Sequence, residues 1–418
     1  MAPSVAGRPL ESLATVSIGG ILAFVVFVGA LFAFVIESVL SQYVQTTLNY
    51  RQSFFLFYVV HSAFALIFPL HLLYLVVTTG RSAGSYIRGL SIAISKHLAP
   101  EKKYVGAALG FPLAEFLRLT LALTAGISIP SVLWFIAMSL SPLTDVTAIA
   151  NTTAFWSYLI SVKLFNLKWQ AKRLLAVLCA TLGTMAVIYG GAKAAKPVHE
   201  NGATIPTLTD LPSKPSAPLI GDICVLFAAF AGGLYQVLYK IYAALPTDSE
   251  NALEHAYDRI PDEDIDLHSE IEDSQSRLLP SSHTDDDTVY PPPFGLHPNL
   301  ITSVLGFFTF AILWIPLVVL HWTGVEPFRL PPDGVTWLVV SGVSLCGVLY
   351  NGGVMVLLGI WGPIIVSVGN LLTIVLVLII DVLFGAGLHV LTMWSLIGAG
   401  SIVLAFGVLS YDMFDNDT

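Results

Sequence analysis

Ten runs of about 20 apolar residues limit what this chain can fold into more than any other feature of it. They lie at 17–40, 53–78, 113–140, 142–165, 172–192, 219–243, 299–322, 335–358, 361–384 and 389–411. About 20 residues of helix span the ~30 Å hydrocarbon core of a bilayer, so each run reads as a membrane helix. Composition closes off a water-soluble alternative. Only 11% of the residues are charged and 55% are hydrophobic, whereas a soluble domain carries about a quarter charged residues. The fold class expected is an all-α polytopic membrane protein with ten transmembrane helices. The joints "SP" at 141–142 and "WGP" at 361–363 are short, and proline disfavours helix in the residue before it.

The net charge of −9 belongs to one segment. Residues 244–297 hold 14 acids against two bases, which leaves the rest of the chain at +3. That segment is polar and poor in hydrophobes, so it reads as a disordered linker. No basic face points to a nucleic-acid partner. Cys179, Cys224 and Cys346 lie far apart within apolar runs, so neither a disulfide framework nor a metal site is expected. No nucleophile elbow, metalloprotease motif or phosphate-binding loop occurs, so no enzyme activity, catalytic residue or cofactor is expected. The N-terminal residues lead straight into the first apolar run, which reads as an uncleaved membrane helix.

Lysine and arginine set the orientation. With the N-terminus in the cytoplasm, 14 of the 19 fall on that side, and Arg51, Lys193, Lys196, Lys214 and Arg329 on the other. Both termini are therefore expected to be cytoplasmic. Residues 1–192 then carry helices 1–5, and 193–218 form a non-cytoplasmic loop. Helix 6 (219–243) opens a second half, the acidic cytoplasmic loop occupies 244–298, helices 7–10 follow over 299–411, and 412–418 form a cytoplasmic tail.

The two halves share a pattern. "PLTDVTAIANTTAFWSYLISVKLF" at 142–165 places Asn151 nine residues after Pro142, and "PIIVSVGNLLTIVLVLIIDVLFG" at 363–385 places Asn370 seven after Pro363. Five helices is an odd number, so the second half enters the membrane inverted. Inverted repeats characterise transporters, with the solute site near midplane where the repeats meet.

A polar side chain in hydrocarbon is costly and should face the bundle interior or a water-filled cavity. Asn151 and Thr152 of helix 4, Asn370 of helix 9, His61 of helix 2, Tyr235 and Gln236 of helix 6 and Asn351 of helix 8 are the candidates for a solute path. Each could equally be interhelical hydrogen-bonding glue. Glu37, Asp145 and Asp381 are expected near the non-cytoplasmic face, as interfacial anchors or as a mouth attractive to cations. Lys163 and Lys240, near the opposite face, are expected to snorkel to the surface. Gly183, Gly398 and Gly400 permit close helix packing, within one chain or in a homodimer.

Several stretches, "FFLFYVVHSAFALIFPL" in helix 2, "SPLTDVTAI" opening helix 4, "LYQVLYK" ending helix 6 and "VGNLLTIVLVLIID" in helix 9, resemble the drug/metabolite transporter superfamily with its EamA-type repeats. Within it the chain looks most like the F-type members of solute carrier family 35. The resemblance implies ten helices in two repeats, alternating access and residence in an endomembrane, vacuole- or lysosome-like or Golgi, rather than the plasma membrane. Better-known branches carry nucleotide sugars, and part of the F-type branch is linked to thiamine. Helices 4 and 9 have no deep lysine or arginine, and no "GALNK"-like stretch occurs, which disfavours a pyrophosphate-bearing solute.

Three functions stay open: a secondary transporter of a small organic solute, cationic or neutral; a carrier of nucleotide sugars or other phosphorylated metabolites; and a non-transporting adaptor or sensor. The acidic loop carries two address-like motifs for sorting adaptors. These are "YDRI", with Tyr257 and Ile260, and "EDSQSRLL", with Leu278 and Leu279.

Overall fold

Proline and glycine decide where the long helices bend. The structure, a computed structural model, describes residues 20–99, 111–165, 171–192, 217–245, 288–384 and 392–416. These residues form α1 (Gly20–Gln42) with a π-helical turn at Tyr43–Thr47, α2 (Ser53–Ala63), α3 (Ile67–Thr79), α4 (Ala83–Leu98), α5 (Leu113–Leu140), α6 (Leu143–Ala150), α7 (Thr153–Leu164) and α8 (Ala171–Ala192). Then come α9 (Pro218–Tyr242), α10 (Leu296–Ile312), α11 (Trp314–Thr323), α12 (Gly334–Asn370), α13 (Leu372–Phe384) and α14 (Met393–Asn416). Among the described residues there is no strand, and eight helical segments are long and apolar enough to cross a membrane. The chain is a multi-pass α-helical membrane protein.

The run at 53–78 is one membrane segment with a 3₁₀ turn, Phe64–Leu66, between α2 and α3. The hydroxyl of Ser303 on α10 enters the helix ladder there. It donates to the Phe64 carbonyl (3.0 Å) and accepts from the Phe68 amide (2.7 Å). A side chain inserted into the i→i−4 ladder is a recognised cause of a helix bend. Three residues after Leu313, Pro316 has no amide hydrogen for the Ile312 carbonyl, and the segment 296–323 breaks into α10 and α11. The joint at 361–363 appears inside α12. Gly362 sits at φ 73° and ψ 172°, outside helical space, and Pro363 follows it. Only glycine adopts such a conformation without strain.

Lys240 departs from the sequence reading. It was expected to snorkel outward, but it is 1% exposed and its ammonium donates to the Gly359 carbonyl at 3.0 Å. Pro363 explains this: the amide that would close the ladder to Gly359, four residues on, is missing.

Two further departures lie at the end carrying α4. Residues 83–98, which lie between two of the apolar runs, form a helix whose Tyr86, Leu90 and Ile94 are buried at a four-residue spacing. Ser82 caps it, accepting from the Ser85 amide at 3.3 Å. The acidic loop also ends sooner than 298. Val289 donates its amide to the Ser85 carbonyl (3.2 Å), Lys96 lies over the Tyr290 ring, and α10 begins at Leu296, which is fully buried. A large apolar side chain with a place in the core makes that end of the loop worth ordering.

The helices pair along their lengths: α1 with α12, α5 with α9, and α8 with α14. The last pair meets through glycine. A Cβ on Gly183 would lie 2.7 Å from the Gly398 carbonyl oxygen, and one on Gly398 2.3 Å from that of Gly183. Gly400 has nothing within 4 Å of that position. Gly183 and Gly398 thus serve packing inside this chain.

Candidate functional site

The helix expected over 142–165 divides into two at a tightened turn whose residues, Asn151 and Thr152, stay in right-handed helical space. Proline at the N-cap starts α6, and the chain turns at Asn151 and Thr152 before α7 begins. Threonine hydroxyls absorb the carbonyls freed at the break. Thr152 donates to the Ile149 carbonyl (2.7 Å) and Thr153 to that of Ala150 (2.6 Å). The helix following Gly362 breaks in the same way. It stops at Asn370 and restarts at Leu372, and Thr373 donates to the Asn370 carbonyl at 2.6 Å. Both segments are therefore interrupted at an asparagine, with a threonine closing the turn.

The two breaks face one cavity of ≈ 1120 Å³, open space at its mouth included. Its walls come from α1, α2, α5, the α6–α7 turn, α9 and α12. Of the residues singled out in the sequence, Asn151, Asn370, His61, Tyr235, Gln236 and Asn351 all line it. Thr152 does not; Thr153 lines the wall instead. Asn351 donates to the Gly347 carbonyl (2.9 Å), Asn370 to the Tyr350 hydroxyl (3.3 Å), and Tyr235 to the Met355 sulfur (3.6 Å). Asn151 is 8% exposed, and its Nδ2 finds no hydrogen-bond acceptor among the described residues.

Three residues that the sequence did not bring together make the floor polar. Ser367 donates to the Gln236 carbonyl oxygen at 2.5 Å and lies 2.9 Å from the Ser157 hydroxyl, which reaches the same oxygen at 3.2 Å. With its oxygen engaged, Gln236 has its amide hydrogens to offer. His61 is held between Phe57 and Phe64, with ring centroids 4.5 and 4.6 Å away. Its Nδ1 lies 3.2 Å from the Phe57 carbonyl, which can only accept, so Nδ1 carries the hydrogen. In the neutral ring Nε2 then accepts from Ser131 at 2.9 Å.

The three acids fall in different places. Glu37, expected as an anchor or in a mouth attractive to cations, is 5% exposed and lines the cavity. It reaches inward because α12 presents Gly347 opposite it, where a Cβ would stand 2.9 Å from Glu37 Oε1. No hydrogen bond or ion pair to Glu37 occurs among the described residues, and the lining holds no lysine or arginine. Phe34, Trp134 and Tyr350 surround this end, with centroids 4.7 Å (Phe34–Tyr350) and 6.3 Å (Phe34–Trp134) apart. Asp145 sits in the first turn of α6, half-buried and outside the lining, where an acid complements the helix dipole. Asp381 lies in α13, and its side chain is outside the described residues. So are the loop residues Tyr257, Ile260, Leu278 and Leu279. No cluster of three or more metal-ligating side chains occurs among the described residues.

No family model matches the chain, and no curated protein matches it. Fourteen chains of solved structures do. One, described only as "Crystal structure of protein", aligns over 95% of this chain and 99% of its own, with a TM-score of 0.50 and 12% identity. At that identity the likeness concerns the fold alone.

Proposed function

We propose that this protein is a secondary transporter of a small organic solute, cationic or neutral, working by alternating access. The observation that carries this reading is the pair of interrupted helices, broken at Asn151 and Asn370 and facing one cavity. Interrupted helices that turn polar side chains toward a shared cavity can hold a solute that lipid would reject. The breaks at Asn151, after Pro142, and at Asn370, after Pro363, are the counterparts that two inverted five-helix repeats require. Ten membrane segments follow if α6 with α7 counts as one crossing and the chain on either side of Gly362 as two. This is the architecture implied by the resemblance to the drug/metabolite transporters. An endomembrane location, with both termini in the cytoplasm, belongs to the same reading.

The solute class follows from charge. Glu37 is the acid in the lining, and aromatic rings stand beside it. A cation gains from a buried carboxylate and from ring faces, by about 2 kcal/mol or more per ring once desolvated. A phosphorylated solute would meet this acid with no lysine or arginine in the wall. Lys240 is the buried base that would favour a nucleotide sugar, but its ammonium is directed to Gly359 on the far side of the kink.

Uptake by proteoliposomes of a panel containing thiamine, other organic cations, neutral metabolites and nucleotide sugars tests this, with and without a pH gradient and beside Asn151→Ala. Saturable uptake of a cation or neutral solute, lost in the variant, is expected. Uptake of nucleotide sugars alone would overturn the solute class. A folded protein that moves none of them and works only through its acidic loop would be an adaptor.

A further inference from the structure

The last two turns of α1 are unusually polar for a membrane helix. Between 37 and 45 the chain reads "ESVLSQYVQ", and Glu37, Ser38, Ser41, Gln42 and Gln45 are all buried. Glu37, Ser41 and Gln45 recur every four residues, so they share one face, with Ser38 and Gln42 beside them. The stripe ends at the α1–α2 turn. There Gln45 accepts from the Ser53 hydroxyl at 2.8 Å, Gln52 donates to the Pro327 carbonyl at 3.0 Å, and Thr47, Asn49 and Arg51 are exposed.

Protein satisfies only part of this stripe: Ser38 donates to the Phe34 carbonyl (2.8 Å) and Gln45 to that of Ser41 (3.3 Å). Ser41 Oγ, Gln42 Nε2 and, at the turn, Gln52 Oε1 are buried with no hydrogen-bond partner among the described residues. Buried polar groups nearly always have a partner, and where protein supplies none, water does. Successive members on α1 are about 6 Å apart along the axis, a gap that two hydrogen-bonded waters bridge.

We propose that this face of α1 holds a chain of water molecules from the α1–α2 turn to Glu37, and that protons reach the Glu37 carboxylate along it without crossing the cavity. A proton entering at the turn is taken by the first water. Each water hands one of its own protons onward, and the last is accepted by a carboxylate oxygen. One proton moves, the waters are regenerated and the carboxylate becomes a carboxylic acid. Glu37 can then gain or lose its proton while a solute fills the cavity. This use of the route rests on the transporter reading; the route itself does not. Other titratable groups on this path are few. Tyr350 of α12 and His61 of α2 share the cavity, α6 packed on α1 carries Asp145, and Tyr43, Tyr50, Arg51, Glu326 and Arg329 stand at the turn.

The test follows Glu37 directly, by its infrared carboxylic-acid band after an acid jump, assigned by its loss in Glu37→Gln. It needs no transported solute. Gly232→Trp first plugs the cavity, which Gly232 lines and where a Cβ on it would meet nothing closer than 3.9 Å. In the plugged protein the band is expected to appear as fast as in the wild type. Adding Gln45→Leu is expected to slow it about tenfold, the scale of removing one hydrogen-bonded link. Ser41→Ala, a milder change, should slow it in the same direction. If the plug alone abolishes the response, Glu37 is reached only through the cavity. If neither Gln45→Leu nor Ser41→Ala slows it, the waters are isolated. Either result overturns the proposal, and neither bears on whether a solute is transported.

Discussion

Gly347→Ala is the substitution that most sharply probes how Glu37 is seated. A Cβ at this position would lie 2.5 Å from Val60 Cγ1 and 2.9 Å from Glu37 Oε1. Carbon atoms in contact prefer about 3.5–4.0 Å, so the first distance is about 1 Å too short. Val60 cannot yield easily: it is fully buried and β-branched. Overpacking of this kind costs about 1–3 kcal/mol. At 1.36 kcal/mol per tenfold, that is a change of about 5- to 150-fold in the folded-to-unfolded ratio. Thermal unfolding of the purified protein reads the stability loss, and uptake reads the displacement of the carboxylate. In a Glu37→Ala background the contact with Oε1 is gone, so Gly347→Ala should cost less there than in the wild type. Equal costs in the two backgrounds, or no cost in either, would show that Glu37 does not occupy the space opposite Gly347.

Three other outcomes are expected. Ser303→Ala removes the hydroxyl between Phe64 and Phe68 and should lower stability by about 1–3 kcal/mol in thermal unfolding, unless the helix closes its own rung. Gly398→Ala should destabilise by about 1–3 kcal/mol, because its Cβ meets the Gly183 carbonyl, whereas Gly400→Ala should be neutral or stabilise by about 0.5–1 kcal/mol. Glu326 accepts from the amides of Phe54 and Phe55 at 3.0–3.1 Å, and burial pushes its carboxyl above the usual range although these amides and that of Ser53 pull it down. A raised carboxyl favours the protonated form in the folded state. Its stabilising share is complete below the unfolded value near 4.5 and is lost as pH rises through the folded one. Thermal unfolding should therefore show stability gained as the pH is lowered toward 4.5 that Glu326→Gln does not show.

The membrane class was legible because apolar length is a local property of the sequence. The breaks were half legible. Pro142 and Pro363 marked the joints, but nothing local says that the helices stop again at Asn151 and Asn370. A threonine one to three residues beyond each asparagine, able to take the freed carbonyl, is the signal that could have been read. The cavity residues were found because amides inside apolar runs stand out. The seating of Glu37 was missed because it depends on Gly347, more than 300 residues away in the chain. Lys240 was misread for the same reason: its partner carbonyl is created by Pro363 on another helix. The helix 83–98 was missed because its apolar face is narrow, although Tyr86, Leu90 and Ile94 gave the four-residue period. Ser157 and Ser367 were overlooked because lone serines in membrane helices usually bond their own backbone; only the fold brings them to Gln236.

The central claim, that the cavity framed by the two interrupted helices is the route of a solute, is tested most directly by plugging it. Uptake into proteoliposomes of whichever organic solute the panel identifies would be measured for the wild type and for Gly232→Trp, after both are shown to unfold at similar temperatures. The account predicts saturable uptake by the wild type and loss of it in the plugged protein. Undiminished uptake through Gly232→Trp would place the route elsewhere and contradict it.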